Sequence, residues 1–208
     1  MLEIRLQNIG KRFNRHWTFR SLSHQFNSGS VSSIIGANGS GKSTLVKILS
    51  GFLTPTEGEV QFTHLGSTVS KEDLYSQVAY CAPYVKVPGD LTLLELLHFH
   101  NGLKPLACST EEFLDICQLA AHSEKPIKHF SSGMQQRARL ALAIMSDVPL
   151  IVLDEPSSNL DRKGIRWFQE LMNTYSRQKT IIIGSNHNQD EIQDYPIAID
   201  LGTGAISK

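Results

Sequence analysis

The stretch Gly36-Ala37-Asn38-Gly39-Ser40-Gly41-Lys42-Ser43-Thr44 constrains what this chain can fold into more than any other part of it. Residues 36–43 fit the pattern G-x-x-x-x-G-K-[ST], and the flanks have the form that pattern requires. Before the loop, Val31-Ser32-Ser33-Ile34-Ile35 reads as a buried strand. After it, Leu45, Ile48 and Leu49 fall at helical spacing over residues 42–50, and Gly51 supplies a stop. A strand, a glycine loop and a helix in that order let backbone N–H groups close around phosphate oxygens. Glycines remove the Cβ atoms that would clash, and the helix N-terminus adds a favourable dipole. Lys42 is expected to reach the β- and γ-phosphates, and Ser43 to offer its hydroxyl to Mg2+. Residues 36–44 therefore predict a bound nucleotide, Mg-ATP.

The remaining pattern is α/β. Over the first ~30 residues short apolar stretches such as Leu2-Glu3-Ile4-Arg5-Leu6 and Trp17-Thr18-Phe19 alternate with turn residues, as in a half-buried antiparallel sheet. A turn at Thr54-Pro55-Thr56-Glu57-Gly58 leads to short strands around Val60-Gln61-Phe62 and Val78-Ala79-Tyr80-Cys81. From Asp90 to Ala121 the character is helical, with Thr92 and Glu95, and Ser109 and Glu112, at the spacing of capping boxes. A helix over residues 132–146, a strand Leu150-Ile151-Val152-Leu153, a helix over 165–176 and a strand Thr180-Ile181-Ile182-Ile183 follow. Uninterrupted apolar strands separated by helices predict a mostly parallel central sheet covered on both faces. The expected organisation is one domain over residues 1–208, with an N-terminal antiparallel β subdomain and a helical subdomain inserted over residues 85–133.

Composition narrows the partners. Twenty basic residues balance twenty acidic ones, so no broad positive field points to nucleic acid, which is not an expected partner. Met1-Leu2-Glu3-Ile4-Arg5 lacks the start of a signal peptide, and no run approaches the ~18 apolar residues of a membrane span, so the expected location is the cytoplasm. Cys81, Cys108 and Cys117 have neither disulfide-framework nor metal-site spacing. His98 and His100, two apart on a helix, point in different directions and make no metal site.

Leu150-Ile151-Val152-Leu153-Asp154-Glu155 puts two carboxylates at the C-terminal end of a buried strand, the edge of an α/β sheet where ligands sit. Asp154 is the expected Mg2+ partner, commonly through water, and Glu155 is placed to polarise an attacking water as general base. At Phe130-Ser131-Ser132-Gly133-Met134-Gln135-Gln136-Arg137 a serine hydroxyl and a glycine amide at a helix start are read as a second anion site, without a lysine, the alternative being an ordinary N-cap. Together these motifs resemble the ATP-binding cassette (ABC) ATPases, whose signature is usually Leu-Ser-Gly-Gly-Gln. Phe130, Ser132 and Met134 depart from it. The resemblance covers essentially the whole chain and implies a P-loop NTPase fold of ABC type.

It also implies roles for further residues. Ser158-Asn159-Leu160-Asp161 looks like the D-loop, which in the family crosses a dimer interface. Phe13 fits the aromatic that stacks on adenine, with Trp17 a weaker substitute. The family's Q-loop glutamine is replaced by Tyr84, which has no amide carbonyl to offer a cation. Strict counting from the last central strand puts the switch histidine at Asn186. His187 is preferred, since imidazole can donate to a γ-phosphate oxygen. In the family, Ser131, Ser132 and Gly133 complete the site of another subunit, which implies a head-to-tail homodimer, or a heterodimer with a second ABC subunit. The expected function is the ATP-hydrolysing subunit of an ABC transporter, peripheral on the cytoplasmic face of the membrane, with separate transmembrane permease subunits. The alternatives are a soluble ABC ATPase acting on nucleic acid or ribosomes, whose usual coiled-coil or zinc insertions are not seen, and a nucleotide-binding regulator with little turnover.

Overall fold

In the computed structural model, which describes residues 1–186, 195–202 and the backbone of 205–206, the N-terminal alternation becomes two long strands. β1 (Leu2–Phe13) and β2 (His16–Phe26) form an antiparallel hairpin, and β1 also pairs antiparallel with β4 (Glu57–His64), which carries the edge strand β5 (Ser67–Thr68). Between them in sequence, β3 (Val31–Ile35) opens the second sheet and leads through the glycine loop into α1 (Lys42–Leu49). After α2 (Lys71–Gln77) and β6 (Val78–Cys81) come the helices α3 (Leu93–Leu103) and α4 (Thr110–Cys117), two short 3-10 turns, and α5 (Ser132–Met145). The chain closes with β7 (Leu150–Asp154), α6 (Arg162–Tyr175), β8 (Thr180–Ser185), β9 (Ile197–Asp200) and β10 (Ala205–Ile206).

The second sheet has the order β10-β9-β3-β8-β7-β6 and is parallel except for β10. Its strand β7 is buried on both faces, as the unbroken apolar run required. Leu150 and Val152 of β7 pack towards α1 and the antiparallel sheet, while Ile151 and Leu153 pack towards α5 and α6. All four are fully buried, and each contributes roughly 1.5–3 kcal/mol over an exposed position. Because β3, β7 and β8 run parallel, their carboxyl ends meet on one edge. That edge carries the glycine loop, Asp154 and Ser185.

Among the described α-helices and strands, α2, β5, β9 and β10 were not anticipated. α2 buries one residue, Leu74, so it has no apolar stripe to read; Ser70, which accepts from the Asp73 N–H, starts it. β9 and β10 are short and lie at the edge of the sheet. The two capping boxes differ. Thr92 and Glu95 make both reciprocal bonds. Ser109 caps α4, but the Glu112 carboxylate instead accepts from the Tyr175 hydroxyl of α6 at 2.7 Å. No helix among the described residues is long and apolar enough to cross a membrane.

Candidate functional site

Gly41 precedes α1 with φ 102°, and a Cβ there would lie 2.5 Å from Thr18 Cγ2. Both the left-handed backbone and the close approach demand glycine. The same bend leaves α1 without a side-chain cap. Every other α-helix of the described residues has one: Ser70, Thr92, Ser109, Ser131 and Asp161. An uncapped start keeps the first N–H donors for another acceptor, as phosphate binding requires. The Lys42 ammonium lies buried across the loop, donating to Gly36 O at 2.8 Å and Ala37 O at 2.9 Å. These bonds leave one of its three donors for a phosphate oxygen. Burial lowers the Lys42 pKa, opposed by the charges of Glu155 and Asp154. The loop borders a cleft of about 320 Å³ lined also by Phe13, Thr18 and Glu155.

Asp154 ends β7 only 1% exposed, directly beside Gly184 of β8. A Cβ on Gly184 would stand 3.0 Å from Asp154 Oδ1 and 2.9 Å from Val46 Cγ2, so a larger residue would press on the carboxylate. Burial pushes the Asp154 pKa up; hydrogen bonds from Ser43 and Tyr84 pull it down, the Glu155 charge raises it and Lys42 lowers it. The Tyr84 hydroxyl donates to Oδ2 at 3.1 Å, and Oδ1 has no hydrogen-bond partner. Burial holds the Tyr84 phenol up at about 12, so it stays a donor at neutral pH. Glu155 then turns the chain with φ 48°, its N–H still bonded to Gly184 O at 2.8 Å. Its Oε1 accepts from Asn186 Nδ2 at 2.6 Å.

Ser43 and Asp154 are the oxygen donors a magnesium ion takes, with phosphate and water filling the rest of its shell. A buried carboxylate with an unpartnered oxygen is stabilised by a cation, so these residues fit that ion. Without metal the charge is a burden. Asp154→Asn removes it while keeping an oxygen for the Tyr84 hydroxyl. The expected result in calorimetry is a melting temperature about 2–4 °C higher in metal-free buffer, equivalent to about 1 kcal/mol. A lower melting temperature would contradict the desolvation account.

Ser131 caps α5, accepting from the Met134 N–H at 3.2 Å, which leaves its O–H free to donate. With Gly133, Asn159 and Asp161 it lines a second cleft of about 340 Å³ that shares no residue with the first. Ser132 opens the helix beside them. Asp161 serves its own chain by capping α6, Oδ1 accepting from the Gly164 N–H at 2.7 Å. Phe13, 50% exposed, lines the first cleft. The Trp17 ring is instead covered by Arg20 at 4.1 Å and Arg12 at 5.2 Å. His187 lies outside the described residues, and the side chain seen on Glu155 is that of Asn186.

Sequence reasoning gave no individual role to Tyr80, Gln136 or Arg139. Arg139 Nη1 donates to Pro83 O at 3.1 Å and Val85 O at 2.9 Å, and Nη2 to Gln136 Oε1 at 2.6 Å. Gln136, fully buried, donates to Pro156 O at 2.9 Å. The available signal was a polar residue at 136 in phase with Leu140 and Ala143 on the apolar face of α5.

The ABC transporter family model matches residues 19–158. The chain is 29% identical over 190 residues to the cytochrome c biogenesis ATP-binding export protein CcmA of Haemophilus influenzae, covering 90% of each chain. It is 29% identical over 212 residues to YybJ of Bacillus subtilis, an uncharacterized ABC transporter ATP-binding protein, covering 98% of this chain and 94% of that one. Its fold matches the dimeric structure of MJ0796, described as a bacterial ABC transporter cassette, with a TM-score of 0.81 at 22% identity over 99% of this chain and 97% of that one. The family match takes in the glycine loop, Asp154 and Glu155 as well as Ser131, and the chain belongs to the ABC transporter family.

Proposed function

We propose that this chain binds and hydrolyses ATP as the energising subunit of an ABC transporter, forming a head-to-tail dimer on the cytoplasmic face of the membrane and driving separate transmembrane permease subunits. One observation carries the reading. Lys42 and Ser131, read as the two halves of an anion clamp, line separate clefts of one chain, which supports a site in which Ser131 meets the nucleotide held by a second ABC subunit. Residues 1–208 act as one ATP-binding unit, with a helical subdomain inserted over residues 85–133.

In this reading Phe13 stacks on adenine, residues 36–44 cradle the phosphates, and Ser43 and Asp154 hold Mg2+. When bound, Mg2+ neutralises charge on the phosphate oxygens. Glu155 takes the proton of the attacking water, and Asn186 keeps its carboxylate aimed. His187 donates to the γ-phosphate. Ser131, Ser132 and Gly133 of each subunit close over the nucleotide of the other, with Asp161 at the seam. The permease surface lies around Tyr84 to Asn101, a stretch in which Tyr84, Leu94 and Phe99 expose apolar side chains. CcmA, described as an export protein, and MJ0796, described as dimeric, are consistent with this.

Ser131→Asp tests the dimer. Aspartate caps a helix as well as serine does, so α5 keeps its cap, but a carboxylate now faces the other subunit's γ-phosphate. ATP binding and thermal stability are expected to hold while the ATP-dependent dimer weakens at least about ten-fold in analytical ultracentrifugation. Dimerisation at wild-type affinity would refute the trans assignment. For the permease, the tagged protein should co-purify with a polytopic membrane chain, and capture of ribosomes alone would overturn that half.

A further inference from the structure

We propose that Tyr84 is the positioning residue of the metal-site carboxylate, holding Asp154 through its phenol and tying it to the loop of residues 83–85. The inference rests on the reading of Asp154 as a magnesium partner. β6 runs beside β7 with Cys81 opposite Leu153, so the loop leaving β6 lies against the end of β7. There the Tyr84 hydroxyl donates to Asp154 Oδ2 at 3.1 Å and also meets the Tyr80 hydroxyl, while the Lys47 ammonium of α1 stands 4.3 Å from its ring centroid. The tyrosine is therefore held at the hydroxyl and over the ring.

Its backbone is held as well. The Arg139 guanidinium bonds the carbonyls immediately before and after Tyr84, and through Gln136 it reaches Pro156 O on the far side of Glu155. Both side chains come from α5, the helix that Ser131 starts. The loop that carries Tyr84 and the turn that carries Glu155 thus share one strut.

A phenol has no amide carbonyl to give a cation, so Tyr84 acts through the carboxylate. A donor on one oxygen sets the rotamer of Asp154 and favours its ionised form, while the other oxygen is left without a partner. Partners of this kind matter to a metal nearly as much as its ligands do. Any displacement of residues 83–85 then reaches the metal site by pulling the hydroxyl from Asp154.

The test is a Mn2+ titration, followed by electron paramagnetic resonance, of the intact protein with a non-hydrolysable ATP analogue. Tyr84→Phe keeps the ring over Lys47 and deletes only the hydroxyl. Mn2+ is expected to bind about ten-fold more weakly, with the affinity for the analogue in metal-free buffer unchanged. Unchanged or tighter Mn2+ binding would overturn the proposal. Arg139→Ala leaves Tyr84 chemically intact but removes the bonds to Pro83 O and Val85 O that hold its loop, and is expected to weaken Mn2+ several-fold. Wild-type affinity there would overturn the tie to the loop. Asp154→Asn separates the two levels: if it binds Mn2+ as tightly as wild type, the metal role of Asp154 falls, whereas a loss there with none in Tyr84→Phe sinks only the tyrosine inference.

Discussion

Glu155→Gln is expected to slow ATP hydrolysis by about 10²–10⁴-fold while ATP binds as tightly as to the wild type. The substitution removes the group that takes a proton from water and changes little else. The glutamine amide offers Asn186 the same acceptor oxygen at the same reach, so the 2.6 Å bond that aims the side chain survives. The backbone turn at φ 48°, held by the bond from its N–H to Gly184 O, does not depend on the carboxylate. Binding and catalysis should therefore separate cleanly: ATP induces the dimer, hydrolysis does not follow, and the dimer accumulates in ultracentrifugation. Single-turnover hydrolysis at the wild-type rate would remove Glu155 from the proton-transfer step.

Lys42→Ala should act earlier, on binding itself. The ammonium serves two structures at once, spanning the loop to Gly36 O and Ala37 O and keeping one donor for the nucleotide. A hydrogen bond to a charged group is worth about 1.5–3 kcal/mol, which corresponds to roughly 10–100-fold in affinity. The loss should approach the upper end because the two loop carbonyls also lose their donor. Isothermal titration with Mg-ATP measures it, and affinity within about two-fold of wild type would contradict the phosphate-loop assignment.

Much of this was legible in one dimension, and the reason differs from element to element. The glycine loop announces its conformation because Gly41 needs a left-handed φ that other residues resist, and because Lys42 sits on the helix that follows. β7 declared its burial by an unbroken apolar run, which places Asp154 and Glu155 at a ligand-bearing edge from sequence alone. Ser131 marked the start of α5 by ordinary capping chemistry. By contrast, α2 rests on a single buried leucine and could not be read from periodicity.

The order of residues alone thus established a glycine loop between strand and helix, a parallel sheet with two carboxylates at its edge and a serine-capped start of α5, because each is written in neighbouring residues with their own backbone demands. The partnerships between them came from strand pairing. Tyr84 meets Asp154 seventy positions away because β6 lies against β7. Asn186 meets Glu155, and Gly184 makes room for Asp154, because β7 lies against β8 in one register. A shift of one residue would turn those side chains to opposite faces, and no local pattern encodes which register the folded sheet selects.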